Sequence, residues 1–150
     1  MVEPATEADL PALCDLLTVL FTQEAEFVPS RINQTAGLRM ILDSPDVGTI
    51  LVARDGPHVI GMVNVLFLPS TALGRRVALI EDMVVAPNHR GRGLGSHLLQ
   101  AAIAYVEAND GARITLLTDG DNQAAQCFYQ RHGFAHSTMI PMRLQLDTHT

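Results

Sequence analysis

The spacing of apolar residues changes period several times along the chain, and each change marks an element. Leu10, Leu13, Cys14, Leu17, Leu20 and Phe21 recur at helical spacing behind Thr6 and Asp9, which read as a capping box. A linker, 23–29, runs from polar to apolar and ends in Pro29. Ser30 then caps a second helix with Ile32, Leu38, Ile41 and Leu42 on its apolar face, and Asp43-Ser44-Pro45-Asp46 stops it. The pattern next turns β-branched, predicting strands over 49–54 and 59–68 around the turn Asp55-Gly56-Pro57, and a third over 76–85. A helix over 95–109 carries Leu98, Leu99, Ala102, Ile103 and Val106 on one face, and a strand over 113–117 follows. A short helix over 122–132 places Ala125, Phe128, Tyr129 and His132 on one face, with Gly133 as its C′ residue. The tail, 134–146, reads as two strands broken by Pro141.

Antiparallel strands first and a strand–helix–strand crossover later describe an α/β layer structure. The 150 residues suit one domain, 1–150, with no repeat, long linker or low-complexity tract. With 47% hydrophobic and 17% charged residues the chain is a folded one.

Charge narrows the chemistry. All ten basic residues are Arg, against sixteen acidic ones, for a net charge of −6. Without Lys, a Walker phosphate loop and Schiff-base catalysis are both excluded. An acidic chain with no polybasic run does not suit duplex nucleic acid, whose binding rests on phosphate neutralisation. Cys14 and Cys127 form neither a zinc spacing nor a disulfide framework, and the six His are scattered, so no metal site is expected. The N-terminus has no secretory pattern, and the longest apolar stretch, 59–68, is too short to span a membrane. A soluble cytoplasmic protein with no membrane partner is the expectation.

The most informative segment is Val84-Val85-Ala86-Pro87-Asn88-His89-Arg90-Gly91-Arg92-Gly93-Leu94-Gly95-Ser96, between a strand and a helix. Alternate glycines let backbone N–H groups approach a ligand, the helix N-terminus adds partial positive charge, and Arg90 and Arg92 suit phosphate oxygens. The whole describes a pyrophosphate cradle. A dinucleotide fold asks for G-x-G-x-x-G in an early βαβ unit. Here the spacing is G-x-G-x-G and too few βα units remain, so that reading fails.

Arg90-x-x-Gly93-x-Gly95 instead resembles the (Gln/Arg)-x-x-Gly-x-(Gly/Ala) loop of the GCN5-related N-acetyltransferases (GNAT). Asn122-x-x-Ala125-x-x-Phe128-Tyr129-x-x-x-Gly133-Phe134 resembles that family's second motif, one helix and one strand downstream. The resemblance implies the GNAT fold: a mixed, mostly antiparallel sheet with helices on both faces, in which the strand before the loop splays from the next, parallel strand. It implies acetyl-CoA as co-substrate. The main chain of Met83, Val84 and Val85 is then expected to pair with the pantetheine amides. The amides of Arg90, Gly91, Arg92, Gly93, Leu94, Gly95 and Ser96 are expected to hold the pyrophosphate. Asn122 is expected to touch the pantetheine arm, its plain alternative being an N-cap. Homodimers are common in the family, and nothing in the sequence bears on that.

The activity implied is acetyl transfer to the primary amine of a small molecule, by direct attack in a ternary complex. An acetyl-CoA-binding module without transfer, or a peptide or protein N-terminal acetyltransferase, are the alternatives. Tyr129 is the expected proton donor to the leaving thiolate, its plain alternative being an aromatic core residue. For the base, Glu81 leads, acting directly or through water, with Asp82 the other candidate. Strand alternation sends the two to opposite faces, and charge inside so apolar a strand is costly unless paired or lining a cavity. An acetyl-cysteine on Cys127 has no supporting His or base pattern. His89 reads either as a phosphate neighbour or as a solvated loop residue. Glu24, Glu26, Asn33, Asn64, Asp119 and Asp121 lie in the segments from which the family builds its acceptor pocket.

Overall fold

The structure, a computed structural model, describes residues 1–24 and 27–146. They divide into two compact units, Met1–Leu117 and a second beginning at Thr118. The first unit holds a five-stranded sheet in the order β1 (Val2–Pro4), β2 (Gly48–Asp55), β3 (His58–Ser70), β4 (Arg75–Val85) and β5 (Gly111–Leu116). Neighbours run antiparallel except β4 and β5, which are parallel. The sequence pattern gave no sign of β1. It is three residues long and ends in Pro4, and only its ladder with Leu51–Ala53 makes it a strand.

Three helices flank this sheet: α1 (Leu10–Gln23), α2 (Arg31–Leu42) and α3 (Leu94–Ala108). Alternation along the central strands assigns their faces. Ile50, Val52, Met62 and Val84 pack into one core with Leu13, Cys14, Leu17 and Leu38 of α1 and α2. On the opposite face α3 buries Leu98, Leu99, Ala102 and Val106, close enough that a Cβ at Gly61 would lie 2.9 Å from Leu98 Cδ1. Covered on both faces, β2 and β3 read as continuous apolar runs. Ile32, expected on the apolar face of α2, is 84% exposed, and only Leu38 of its four expected apolar residues is fully buried.

The Thr6–Asp9 signal caps a single 3₁₀ turn, Glu7–Asp9, that runs directly into α1. The Asp9 carboxylate accepts from the Thr6 N–H at 2.9 Å and from Nη1 and Nη2 of Arg54, at 2.9 and 2.8 Å. Those bonds, Arg54 foremost, hold its pKa below the usual carboxylate value.

In the second unit α4 (Gln123–Arg131) starts at Asn122 and ends in a Schellman motif. Gly133, at φ +94°, donates to Gln130 O, and Phe134 donates to Tyr129 O, both at 3.1 Å. The two strands expected over 134–146 are not formed: among the described residues, no strand follows β5. An apolar run becomes a strand only where a neighbouring backbone supplies a ladder, and Pro141 removes a donor from this one. No helix among the described residues is long and apolar enough to cross a membrane.

Candidate active site

The site is built on a strand whose two halves differ. From Arg76 to Ile80, β4 pairs with β3 on one side and with β5 on the other, the last parallel pair being Ile80↔Leu116. Beyond it, 81–85 has no parallel partner among the described residues and stays joined only to β3. The parallel pairing thus ends where the family resemblance implied a splay. The Ala86 N–H donates to Ile60 O at 2.8 Å, and this sets the phase of the ladder. By alternation Val84 also turns its main-chain groups to β3, while Met83 and Val85 turn theirs to the open side.

The register between β3 and β4 slips at the same place. Val63 pairs with Met83 and Val65 with Ile80, so Glu81 and Asp82 together oppose Asn64. A bulge of this kind inserts one residue and breaks the alternation of faces. Glu81 and Asp82 therefore both line one cavity, instead of parting to opposite faces as plain alternation requires. Glu81 is exposed and Asp82 half-buried. Asn64, 3% exposed, donates from Nδ2 to Asp82 Oδ2 at 2.7 Å. Burial pushes the Asp82 pKa up to about 6 against the pull of the Asn64 hydrogen bond, and the neighbouring Glu81 charge adds to the rise.

The cavity, of about 310 Å³, lies between α1, α2 and this bulge. Leu17, Phe21, Phe27, Leu38 and Ile41 form its apolar wall. Of the polar residues expected around an acceptor, Asn33 and Asn64 line it, whereas Glu24 does not. Asp119 and Asp121 belong to the second unit, and Glu26 lies outside the described residues. Gly37, in the middle of α2, lines the cavity without having been singled out; an isolated glycine in a helical pattern was the available signal.

After β4, Pro87–His89 makes a 3₁₀ turn, and Gly91 and Gly93 both take φ +79°, which favours glycine. Gly93 is the N-cap of α3, so the loop ends at the positive pole of a fifteen-residue helix. First-turn N–H groups lie beyond a helix's own ladder. A Cβ at Gly91 or Gly93 would meet nothing within 4 Å, so the loop presents open backbone. Arg90 Nε donates to Val85 O at 3.1 Å and braces the loop against the strand end, while Arg92 is exposed. His89 sits 3.6 Å from Asp55 Oδ2.

Within the second unit Asn122 is an N-cap, its Oδ1 accepting from the Ala125 N–H at 3.1 Å. The Tyr129 ring packs edge-on to Phe128 and Phe134, with centroids at 5.3 and 5.8 Å, and its carbonyl accepts the Phe134 N–H of the Schellman motif. Cys127 is exposed on the same helix. No cluster of three or more His, Cys, Asp or Glu among the described residues has the arrangement to hold a metal.

The model of the acetyltransferase (GNAT) family matches residues 10–134, which include the glycine loop, the splayed strand and α4. The chain belongs to that family. This acetyltransferase is 30% identical over 122 residues to the uncharacterized N-acetyltransferase YhfO of Bacillus subtilis (strain 168), covering 79% of the chain and 81% of the relative. It is 39% identical over 66 residues to the mycothiol acetyltransferase of Acidothermus cellulolyticus, covering 43% of the chain but only 19% of that protein. Among solved structures, an integron cassette protein from the mobile metagenome of Cole Harbour Salt Marsh superposes with a TM-score of 0.85 at 25% identity, covering 97% of this chain and 90% of that one. An aminoglycoside acetyltransferase from an uncultured soil sample, solved with sisomicin, gives a TM-score of 0.79 at 19% identity over 98% and 96% of the two chains, a likeness of fold.

Proposed function

We propose that this acetyltransferase moves the acetyl group of acetyl-CoA to the primary amine of a small molecule, by direct attack in a ternary complex. One observation carries the reading: the unpaired end of β4 presents open backbone on its β5 side, and the bulge in the same stretch aims two carboxylates into a cavity.

The residues present fit acetyl-CoA. Gly91 and Gly93 keep the loop backbone open, and the N-terminus of α3 adds the charge that favours a pyrophosphate. Met83 offers its main-chain groups and Val85 its N–H to the pantetheine amides, the Val85 carbonyl being taken by Arg90, and the amides of Arg90–Ser96 hold the phosphates. Asn122 adds a side-chain contact to the pantetheine arm. When bound, acetyl-CoA supplies a thioester carbonyl with a thiolate leaving group.

Asp82 is the base in this scheme. A base works best with a pKa near the working pH, and Asp82, at about 6, stands well above an ordinary carboxyl. Asn64 fixes one of its oxygens and leaves the other for the amine. Glu81, exposed beside it, draws the cationic form of the acceptor to the site. Tyr129 is the acid, its ring held by Phe128 and Phe134 and its Oη carrying the proton that the departing sulfur takes up.

Release of CoA thiol in the presence of a panel of primary amines tests the transfer. Tyr129→Phe is expected to lower turnover at least tenfold while acetyl-CoA affinity stays the same. Unchanged turnover would remove Tyr129 from the acid role. Stabilisation by acetyl-CoA without release from any amine would make the chain a binding module.

A further inference from the structure

The cavity has a polar end and an apolar body, and the polar end is incomplete. Asn64 is 3% exposed and lines the cavity; its Nδ2 is bound to Asp82, but its Oδ1 has no hydrogen-bond partner among the described residues. A buried carbonyl oxygen left without a donor carries a free-energy penalty that a ligand's N–H would remove. Gln34, the other buried amide of the lining, is different. Its Oε1 accepts from the Ser30 N–H at 2.8 Å, and its Nε2 donates to Cys14 O and Thr18 Oγ1, both at 3.1 Å. Gln34 ties α2 to α1, whereas Asn64, which lines the cavity, holds a buried Oδ1 without a partner among the described residues.

An ammonium group has three donors and no acceptor. At this end three cavity-lining residues carry acceptor groups: Asn64, Asp82 and Glu81. The body of the ligand meets Leu17, Phe21, Leu38 and Ile41. Hydroxyls set against that wall lose their water and gain no partner, while hydrocarbon placed there is removed from water. About 310 Å³ is at the small end of ligand pockets, which run from about 300 to 1,000 Å³.

We infer that Asn64 determines acceptor specificity, its Oδ1 taking an N–H of the acceptor's ammonium beside the Asp82 carboxylate, and that the acceptor is an amphipathic primary amine with a short alkyl or single-ring body. Gly37 fits the same picture. Glycine inside a helix is unfavourable relative to alanine, yet here it borders the cavity, and a Cβ at that position meets nothing within 4 Å. It leaves room for the ligand's body.

The inference rests on the transferase reading only for the fate of the amine; binding of the amine tests it directly. Calorimetric titration of the full chain, with free CoA present, compares 2-phenylethylamine with ethylamine, with glucosamine and with the uncharged 2-phenylethanol. Phenylethylamine is expected to bind at least tenfold more tightly than glucosamine or phenylethanol. Asn64→Leu is expected to weaken phenylethylamine about tenfold or more, the scale of one hydrogen bond to a charged group, and to raise KM for the amine more than it lowers kcat. Gly37→Leu, at an open helix position, keeps the test decisive if Asn64→Leu fails to fold. It is expected to weaken phenylethylamine several-fold more than ethylamine. Equal or tighter binding of glucosamine, or unchanged phenylethylamine affinity in either folded variant, overturns the inference. Tight amine binding with no CoA release from any amine upholds it and overturns the transferase reading. CoA release from glucosamine but not from phenylethylamine does the reverse.

Discussion

The two halves of β4 share one strand and serve opposite ends. Its first half, up to Ile80, is paired on both edges, and Val77, Ala78 and Ile80 are buried. Its second half, 81–85, is bulged, has no parallel neighbour among the described residues and places Glu81 and Asp82 on a cavity. In the first half the pairing on both edges and the buried side chains serve stability. In the second, stability is given up: an open backbone edge and a carboxylate whose pKa is raised are both unfavourable to folding. The lesson is local. A functional site here is the place where a core strand stops being regular.

Substitutions on either side of Ile80 are the sharpest way to break that contrast. Asp82→Asn is expected to cut turnover by about 10²–10⁴-fold, the usual contribution of a positioned base, in steady-state assays at pH 7.5. Ile80→Ala, one residue before the bulge, is expected to cost about 2–5 kcal/mol of stability, read by chemical denaturation. If Asp82→Asn destabilises as much as Ile80→Ala, the distinction between the halves fails.

The pH dependence carries the same contrast with a definite sign. Asp82 is pushed from 3.8 in the unfolded chain to about 6 in the fold, so the folded state binds the extra proton. Its contribution is most favourable below pH 3.8 and is lost as the pH rises through 6. Asp82→Asn removes this loss. It is expected to raise stability by about 1–3 kcal/mol at pH 7.5, from roughly two pKa units at about 1.4 kcal/mol each, and to leave it unchanged near pH 3.5. Melting curves at the two pH values check this. The acid limb of the wild-type rate profile should fall near the same value, since the base works ionised.

The smallest effect belongs to the loop that continues the open end. Gly93→Ala, at φ +79°, is expected to cost about 1 kcal/mol and to weaken acetyl-CoA binding by calorimetry. A variant with unaltered affinity would show that the loop backbone is not the phosphate cradle.

Much of this arrangement could be read before any coordinates. The predicted strand over 76–85 differs from β4 by one residue at its start, and the helix over 95–109 from α3 by one residue at each end. Gly133 takes its expected place because only a left-handed residue closes a Schellman motif cheaply. Both glycine-containing motifs are local, and local backbone demands leave their mark in sequence. The tail over 134–146 misled for the complementary reason: its apolar residues suit a strand, but a strand also needs a partner edge.

The sequence by itself determined the order of elements, the loop at the start of α3 and the residue types available for acid and base chemistry, because caps, turns and periodicity act over a few neighbouring residues. Only the tertiary structure decided which carboxylates share a cavity. One extra residue in β4, set against Asn64 on a strand about twenty positions away, rotates Glu81 and Asp82 to the same side. Strand pairing is a long-range choice. No pattern within 76–85 could record where its neighbour slips, or that the Asn64 carbonyl would be left waiting for a donor.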